Sequence, residues 1–89
     1  MPVVFVPTAY RGPTRGLSDI EVEAHDVRSA LRAVETLHPG FQELVLDQAG
    51  QLRGFVKLFI NEEQIEFDAL DKPLGVTDRL EVLAAIAGG

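Results

Sequence analysis

The spacing of apolar residues changes at Asp26, and this change constrains the fold more than any other feature of the chain. Before Asp26, apolar and acidic residues alternate, as in a strand with one buried face. The alternating apolar residues are Ile20, Val22 and Ala24. After it, apolar residues follow one helical stripe. They are Val27, Ala30, Leu31, Val34 and Leu37. Asp26 can cap this helix and Pro39-Gly40 ends it, so the sequence predicts one helix.

Strand-like runs of β-branched and aromatic residues lie on both sides of this helix. The runs are 3–6, 20–24, 55–60, 64–67 and 79–86. Turns at 11–16 and 61–63 predict two antiparallel hairpins, and 41–46 predicts a short irregular or single-turn segment. The order strand, strand, helix, strand, short strand, strand predicts an α+β fold with a mixed four- to five-stranded sheet on one main helix. This is the β-grasp, or ubiquitin-like, arrangement, with the last strand central and parallel to the first.

Composition limits what such a chain can do. With 89 residues, one domain spanning 1–89 is expected, and a core plus a deep substrate cavity is disfavoured. The absence of cysteine excludes disulfides, thiolate nucleophiles and cysteine zinc sites. A net charge of −6 disfavours nucleic acid and anionic membranes as partners. With no apolar run long enough to cross a bilayer, we expect a cytoplasmic protein. We also expect that the chain itself binds no metal or cofactor.

Most polar candidates have ordinary explanations. His25 and His38 lack metal-ligand spacing, so a surface or capping role is expected and not catalysis. Glu62-Glu63 is interpreted as a solvated turn, because adjacent hairpin-tip carboxylates point apart. Arg11 and Arg15 could hold an anion, but a plain surface loop, which could touch a partner, is favoured.

Two apolar residues near the end of the last predicted strand face away from the predicted core. Alternation places Leu83 and Ala85 opposite the buried side, where they form a docking surface with Phe59 if no loop covers them. A covering loop is the open alternative.

The carboxyl end carries the main chemical hypothesis. Ile86 and Ala87 lead to Gly88 and Gly89, which have no Cβ and can enter a channel too narrow for side chains. We predict that 87–89 is a protruding reactive tail. A carboxylate resists nucleophiles until it is converted to a mixed anhydride, usually with ATP. The activated Gly89 could then yield a thiocarboxylate or a protein conjugate. A chance Gly pair is the alternative.

The sequence resembles a known family over nearly its whole length. The segments that carry the resemblance are 55–65, 71–74, 78–82 and 85–89, with weaker support from 6–8, 26–31 and 38–40. Together they look like the ubiquitin-like sulfur carriers of the MoaD/ThiS type. The opening segment and 52–56 look closer to carriers for cysteine, methionine or siderophore sulfur assembly than to the molybdopterin synthase small subunit.

The resemblance implies a mechanism. An E1-like enzyme would use ATP to adenylate Gly89, a persulfide or sulfide source would convert it to the thiocarboxylate, and a synthase would accept the sulfur. The chain would be a co-substrate and not an enzyme. Two departures bear on partner choice: the family often has Pro at Ala84 or Ala85, and an acidic residue at Arg79. A modifier joined to protein lysines and a non-catalytic interaction domain are the alternatives.

Overall fold

The fold is a five-stranded mixed sheet with one long helix on one face, as the sequence predicts. The computed structural model describes residues 1–85. The strands are β1 (Val3–Phe5), β2 (Asp19–Glu21), β3 (Val56–Ile60), β4 (Glu63–Ile65) and β5 (Arg79–Ala84). The helices are α1 (Val27–Leu37) and the single-turn α2 (Gln42–Val45). Within this range, each helix is too short or too polar to span a bilayer.

The last strand, β5, lies at the centre of the sheet. The strand order is β2-β1-β5-β3-β4, with β5 parallel to β1 and antiparallel to β3. This confirms the predicted β-grasp topology. The register aligns Val4 with Leu80 and Leu58 with Val82, so aliphatic residues of three strands share one buried layer.

Helix α1 covers this layer because its apolar stripe matches the buried face of the sheet. Val27, Ala30, Leu31 and Val34 are fully buried. The helix begins with a capping box, in which Ser29 N donates to Asp26 Oδ1 over 2.7 Å and Asp26 N donates to Ser29 Oγ over 3.2 Å. These contacts lower the pKa of Asp26, first through the Ser29 hydroxyl and then through its backbone N–H.

Two apolar residues are more exposed than their sequence patterns predict. Leu37 is 58% exposed because it lies at the margin of the helical stripe, in the last turn. Phe67 is 79% exposed, although the run 64–67 predicts a strand in which it shares a face with Ile65. Strand β4 ends at Ile65, and Asp68 takes a left-handed backbone conformation with φ of 50°, so the chain has left the sheet before Phe67 can pack on it.

The strands are also shorter than their sequence patterns. β2 stops at Glu21, although Val22 stays buried and its N–H still donates to Pro2 O over 3.0 Å. The connection between β1 and β2 is not a tight hairpin turn. It contains a 3-10 helix at Thr8–Tyr10 and a buried Thr14, whose hydroxyl donates to Leu17 O over 2.8 Å. Side-chain alternation therefore continues beyond the residues that have regular strand pairing.

Candidate functional site

The carboxyl end of β5 is fastened to the chain just before β3. Ala84 aligns with Val56, and the Ala85 N–H donates to Phe55 O over 2.6 Å. The described backbone therefore ends beside the start of β3, at one end of the central strand. The other predicted tail residues lie outside the described range, and their roles remain predictions. They are Ile86, Ala87, Gly88 and Gly89.

The face of the sheet opposite α1 carries the docking residues that the sequence predicts. Aligned residues of neighbouring strands point to the same side, so Glu81 lies between Phe5 and Phe59. One step toward the carboxyl end of β5, Leu83 aligns with Lys57. We call this surface the open face. It consists of Phe5, Lys57, Phe59, Arg79, Glu81 and Leu83.

Within residues 1–85, the end of the open face near Ala85 is accessible. Leu83 is 36% exposed, Ala85 is exposed and Phe59 is half-buried. The alternative of a crossing loop is therefore wrong for the described residues. Phe55, which follows a turn and precedes β3, is 49% exposed and adds a second aromatic ring near Ala85. An apolar surface beside a chain end suits contact with another protein.

A second feature occupies the other end of the open face. The Phe5 ring lies under two guanidinium groups, with the Cζ atoms of Arg11 and Arg79 5.6 Å and 5.3 Å from the ring centroid. Arg79 also forms an ion pair with Asp19 over 3.1 Å, and Arg11 Nε donates to Val6 O over 2.9 Å. We call Phe5, Arg11 and Arg79 the Phe5 platform. Sequence reasoning considered Arg11 without Phe5, because alternation does not show which side chains lean over which ring.

A hydrogen-bonded turn fixes the start of β5. Asn61 Nδ2 donates to Asp78 Oδ1 over 2.8 Å, and the Arg79 N–H donates to Asn61 Oδ1 over 2.9 Å. The Gly75 N–H donates to Asp78 Oδ2 over 2.8 Å, and this bond, followed by the one from Asn61, lowers the pKa of Asp78. The network holds the backbone of Arg79 against the β3–β4 turn. A polar Asn and Asp far apart in sequence gave no pattern from which to predict it.

The remaining polar candidates form no site. His25 is exposed, and its Nε2 lies 3.7 Å from Asp26 Oδ2. Glu62 and Glu63 are both exposed, at the β3–β4 turn. Among residues 1–85, no three His, Asp or Glu side chains come together as a metal site. Tyr10 has a buried hydroxyl without a partner in the same range, and burial raises its pKa.

Solved structures of other proteins match this chain over its full length or nearly so. No family model matches the chain, and no curated protein matches it in sequence. A chain of the Amycolatopsis orientalis BexX/CysO complex is 28% identical, with all of both chains covered and a TM-score of 0.92. CysO from Mycobacterium tuberculosis, described as an antigen, is 24% identical over 97% of this chain and 100% of its own, with a TM-score of 0.89.

A third neighbour extends the likeness to an archaeal protein. The small archaeal modifier protein 1 of Methanosarcina acetivorans is 18% identical over 99% of this chain and 95% of its own, with a TM-score of 0.84. At this identity the likeness concerns the fold alone.

The resemblance found in the sequence is confirmed by these structures together with the β-grasp topology. The chain shares the fold of ubiquitin-like sulfur carriers of the MoaD/ThiS type and is similar to them over its full length. The likeness to a chain of the BexX/CysO complex supports the closer resemblance to CysO.

Proposed function

We propose that the carboxylate of Gly89 is the group on which this carrier holds sulfur. The observation that supports it most is the full-length likeness to a chain of the BexX/CysO complex, in a fold whose central strand leads to Gly88-Gly89. Strand β5 is hydrogen-bonded on both sides, to β1 and β3. A partner that grips the sheet would therefore hold the chain end in a defined direction.

The chemistry follows from the inertness of a carboxylate. Attack of the Gly89 carboxylate on the α-phosphate of ATP gives an acyl-adenylate and releases pyrophosphate. Hydrosulfide then attacks the acyl carbon, a C–S bond forms, and AMP leaves with the electrons of the broken C–O bond. The product is a thiocarboxylate, whose sulfur can act as nucleophile in a synthase. A persulfide donor would give an acyl disulfide, which a thiol must reduce. ATP is a substrate of the activating enzyme, and this chain binds no cofactor of its own.

The partners we propose are an E1-like adenylating enzyme, a sulfur donor and a sulfur-accepting synthase. The BexX/CysO complex is an example of a protein partner bound to a neighbour of this chain. We assign the first docking contact to Phe59, Leu83 and Ala85, which lie at the tail end of the open face, and extend it to Ile86 and Ala87. The chain thus acts as a co-substrate and not as an enzyme, and its need for ATP fits a cytoplasmic reaction.

A direct test incubates the purified chain with a matching activating enzyme, ATP and sulfide. We expect the intact mass to rise by the exchange of one oxygen for sulfur, and alkylation to label the carboxyl end. A chain that lacks Gly89 should stay unchanged while its circular dichroism matches that of the parent. If no adenylate forms with any activating enzyme, the chain is an interaction domain and the proposal is wrong.

A protein-modifier role is the second candidate. It is favoured by the fold likeness to small archaeal modifier protein 1. The same adenylate would then pass to a thiol and to a lysine amine of a target, forming an isopeptide bond. In the same reaction, supplemented with cell extract, higher-mass adducts that vanish on deletion of Gly89 would establish this role.

A further inference from the structure

The Phe5 platform holds two guanidinium groups in fixed positions on an acidic protein. Arg79 lies on β5 and Asp19 on β2, two strands apart, and the Arg79 side chain crosses β1 above Phe5 to reach Asp19. Strands are about 4.8 Å apart, so only a long side chain closes this gap. Its ion pair with Asp19 and its contact with the ring hold the guanidinium in one place.

Arg11 is fixed from the other side but leaves hydrogen-bonding capacity unused. Its Nε donates to Val6 O, and its Cζ lies over the same ring. Within residues 1–85, its two terminal nitrogens have no hydrogen-bond or ion-pair partner. A guanidinium presents these nitrogens as a fork that matches a carboxylate in two parallel hydrogen bonds.

The charges around the platform leave the Arg11 guanidinium without a carboxylate partner among residues 1–85. Two guanidinium groups share one ring, and Asp19 is the carboxylate that contacts either of them among the described residues. Glu81 is the cross-strand neighbour of Phe5 on the same face, without an ion pair in that range. Glu21 also lies on this face, so the surface as a whole carries no excess of positive charge. A partner carboxylate would instead bind through the two unused donors of the Arg11 fork, for which a basic side chain offers no acceptor.

We propose that the Phe5 platform binds an acidic segment of the enzyme that takes up the Gly89 end, with a partner carboxylate held by the terminal nitrogens of Arg11. The inference rests on the proposed function. From Arg79 to Ala85 the strand runs about 20 Å, so the platform and the apolar docking residues would contact the enzyme at two separated points. Arg79, held over Phe5 by its ion pair with Asp19, keeps the ring in place beneath Arg11 for that contact.

The kinetic test compares matched arginine variants in thiocarboxylate formation with the activating enzyme. Arg11→Gln should raise the KM for the carrier about tenfold and leave kcat unchanged, because a charge-assisted hydrogen-bond pair is lost. Arg11→Lys should show a smaller rise in KM than Arg11→Gln, because lysine keeps the charge but lacks the two parallel donors of the guanidinium. Arg32→Gln removes the same charge from the exposed side of α1 and should change KM little. Equal effects of Arg11→Gln and Arg32→Gln would overturn the proposal.

A binding test keeps the inference separate from the chemistry of Gly89. An acetylated peptide of alternating Glu and Leu is titrated into isotope-labelled full-length chain and followed by NMR. We expect saturable shifts of the Arg11 and Arg79 Nε–H signals and of the Phe5 ring, absent in Arg11→Gln and absent with a Gln-Leu peptide. If the peptide shifts no signals of the Phe5 platform, the inference is overturned even if the thiocarboxylate forms. Platform shifts without any adenylate would overturn the proposed function alone.

Discussion

The two faces of the sheet differ sharply in what their side chains contact. On the closed face, Leu58, Leu80 and Val82 are fully buried beneath α1. On the open face, one residue further along the same strands, Phe59 and Glu81 are half-buried. Because strand residues alternate between faces, each strand contributes to both stability and recognition. Changes on the two faces should therefore have separable effects.

Strand β5 shows the division most clearly. Its closed-face side chains are aliphatic, whereas the open-face series Arg79, Glu81 and Leu83 runs from cation to anion to an apolar residue. The same six residues thus anchor the core, carry one guanidinium of the Phe5 platform and end at the exposed apolar surface for which we propose docking. Its central place in the sheet keeps these features in a fixed relation to one another.

The largest stability effect is expected on the closed face. Leu58→Ala removes a fully buried side chain and leaves a cavity, which costs about 2–5 kcal/mol of the free energy of unfolding. Urea denaturation measures the loss. The variant fraction that remains folded should still form thiocarboxylate with an unchanged KM. A normal stability for Leu58→Ala would show that the core is not where the structure places it.

The open face should give the opposite result. Leu83→Ser should raise the KM for the carrier in thiocarboxylate formation about tenfold, because an apolar contact with the activating enzyme is lost, while stability changes little. Leu37→Ser is the matched control, since Leu37 is also exposed but lies on α1, on the other side of the sheet. If both serine variants raise KM equally, the open face is not the docking surface.

The sequence predicted the closed face well because buried residues recur at regular spacings in strands and helices. The change of period at Asp26 located α1, and the alternation along 79–84 located the inward side of β5. Where the backbone leaves regular strand or helix geometry, the spacing of apolar residues no longer predicts which of them are buried. Phe67 follows a strand-like pattern but lies beyond the end of β4, and the left-handed Asp68 that turns the chain has no apolar signature.

The open face was predictable only in part. Alternation identified Leu83 and Ala85 as outward-facing, and the Gly pair was identified from the sequence and from the resemblance. The Phe5 platform depends instead on the strand order β2-β1-β5, which brings Asp19 within reach of Arg79 across Phe5. That order joins residues sixty positions apart in the chain, so no local pattern could reveal it.

A smaller effect is expected at the cap of α1. Asp26→Ala should cost about 1 kcal/mol at neutral pH, because the Ser29 N–H loses its acceptor. The folded-state pKa of Asp26 lies below its ordinary value of about 3.9, so the unfolded state binds the proton more readily. The contribution is therefore present above the unfolded-state pKa and is lost as pH falls through the folded-state pKa.

This pH dependence separates charge from capping. The stability difference between the parent and Asp26→Ala, measured by urea denaturation, should shrink as pH falls below about 4. Asp26→Asn keeps a side-chain acceptor without a titrating group, and its stability should vary less with pH over that range. A parent-minus-alanine difference that stays constant down to acidic pH would contradict the assignment.

The smallest effect is expected at the β3–β4 turn, where backbone strain adjoins the open face. Asn61 and Glu62 both have positive φ, 50° and 72°, as in a two-residue turn whose second position favours glycine. Glu62→Gly relieves the crowding of Cβ but loosens the unfolded chain, leaving a gain of roughly 0.5 kcal/mol. Thermal unfolding should register a rise of about 2–4 °C. Glu63→Gly removes the same charge inside β4 and should lower stability instead. If both glycine variants shift the melting temperature in the same direction, charge and not backbone conformation governs the turn.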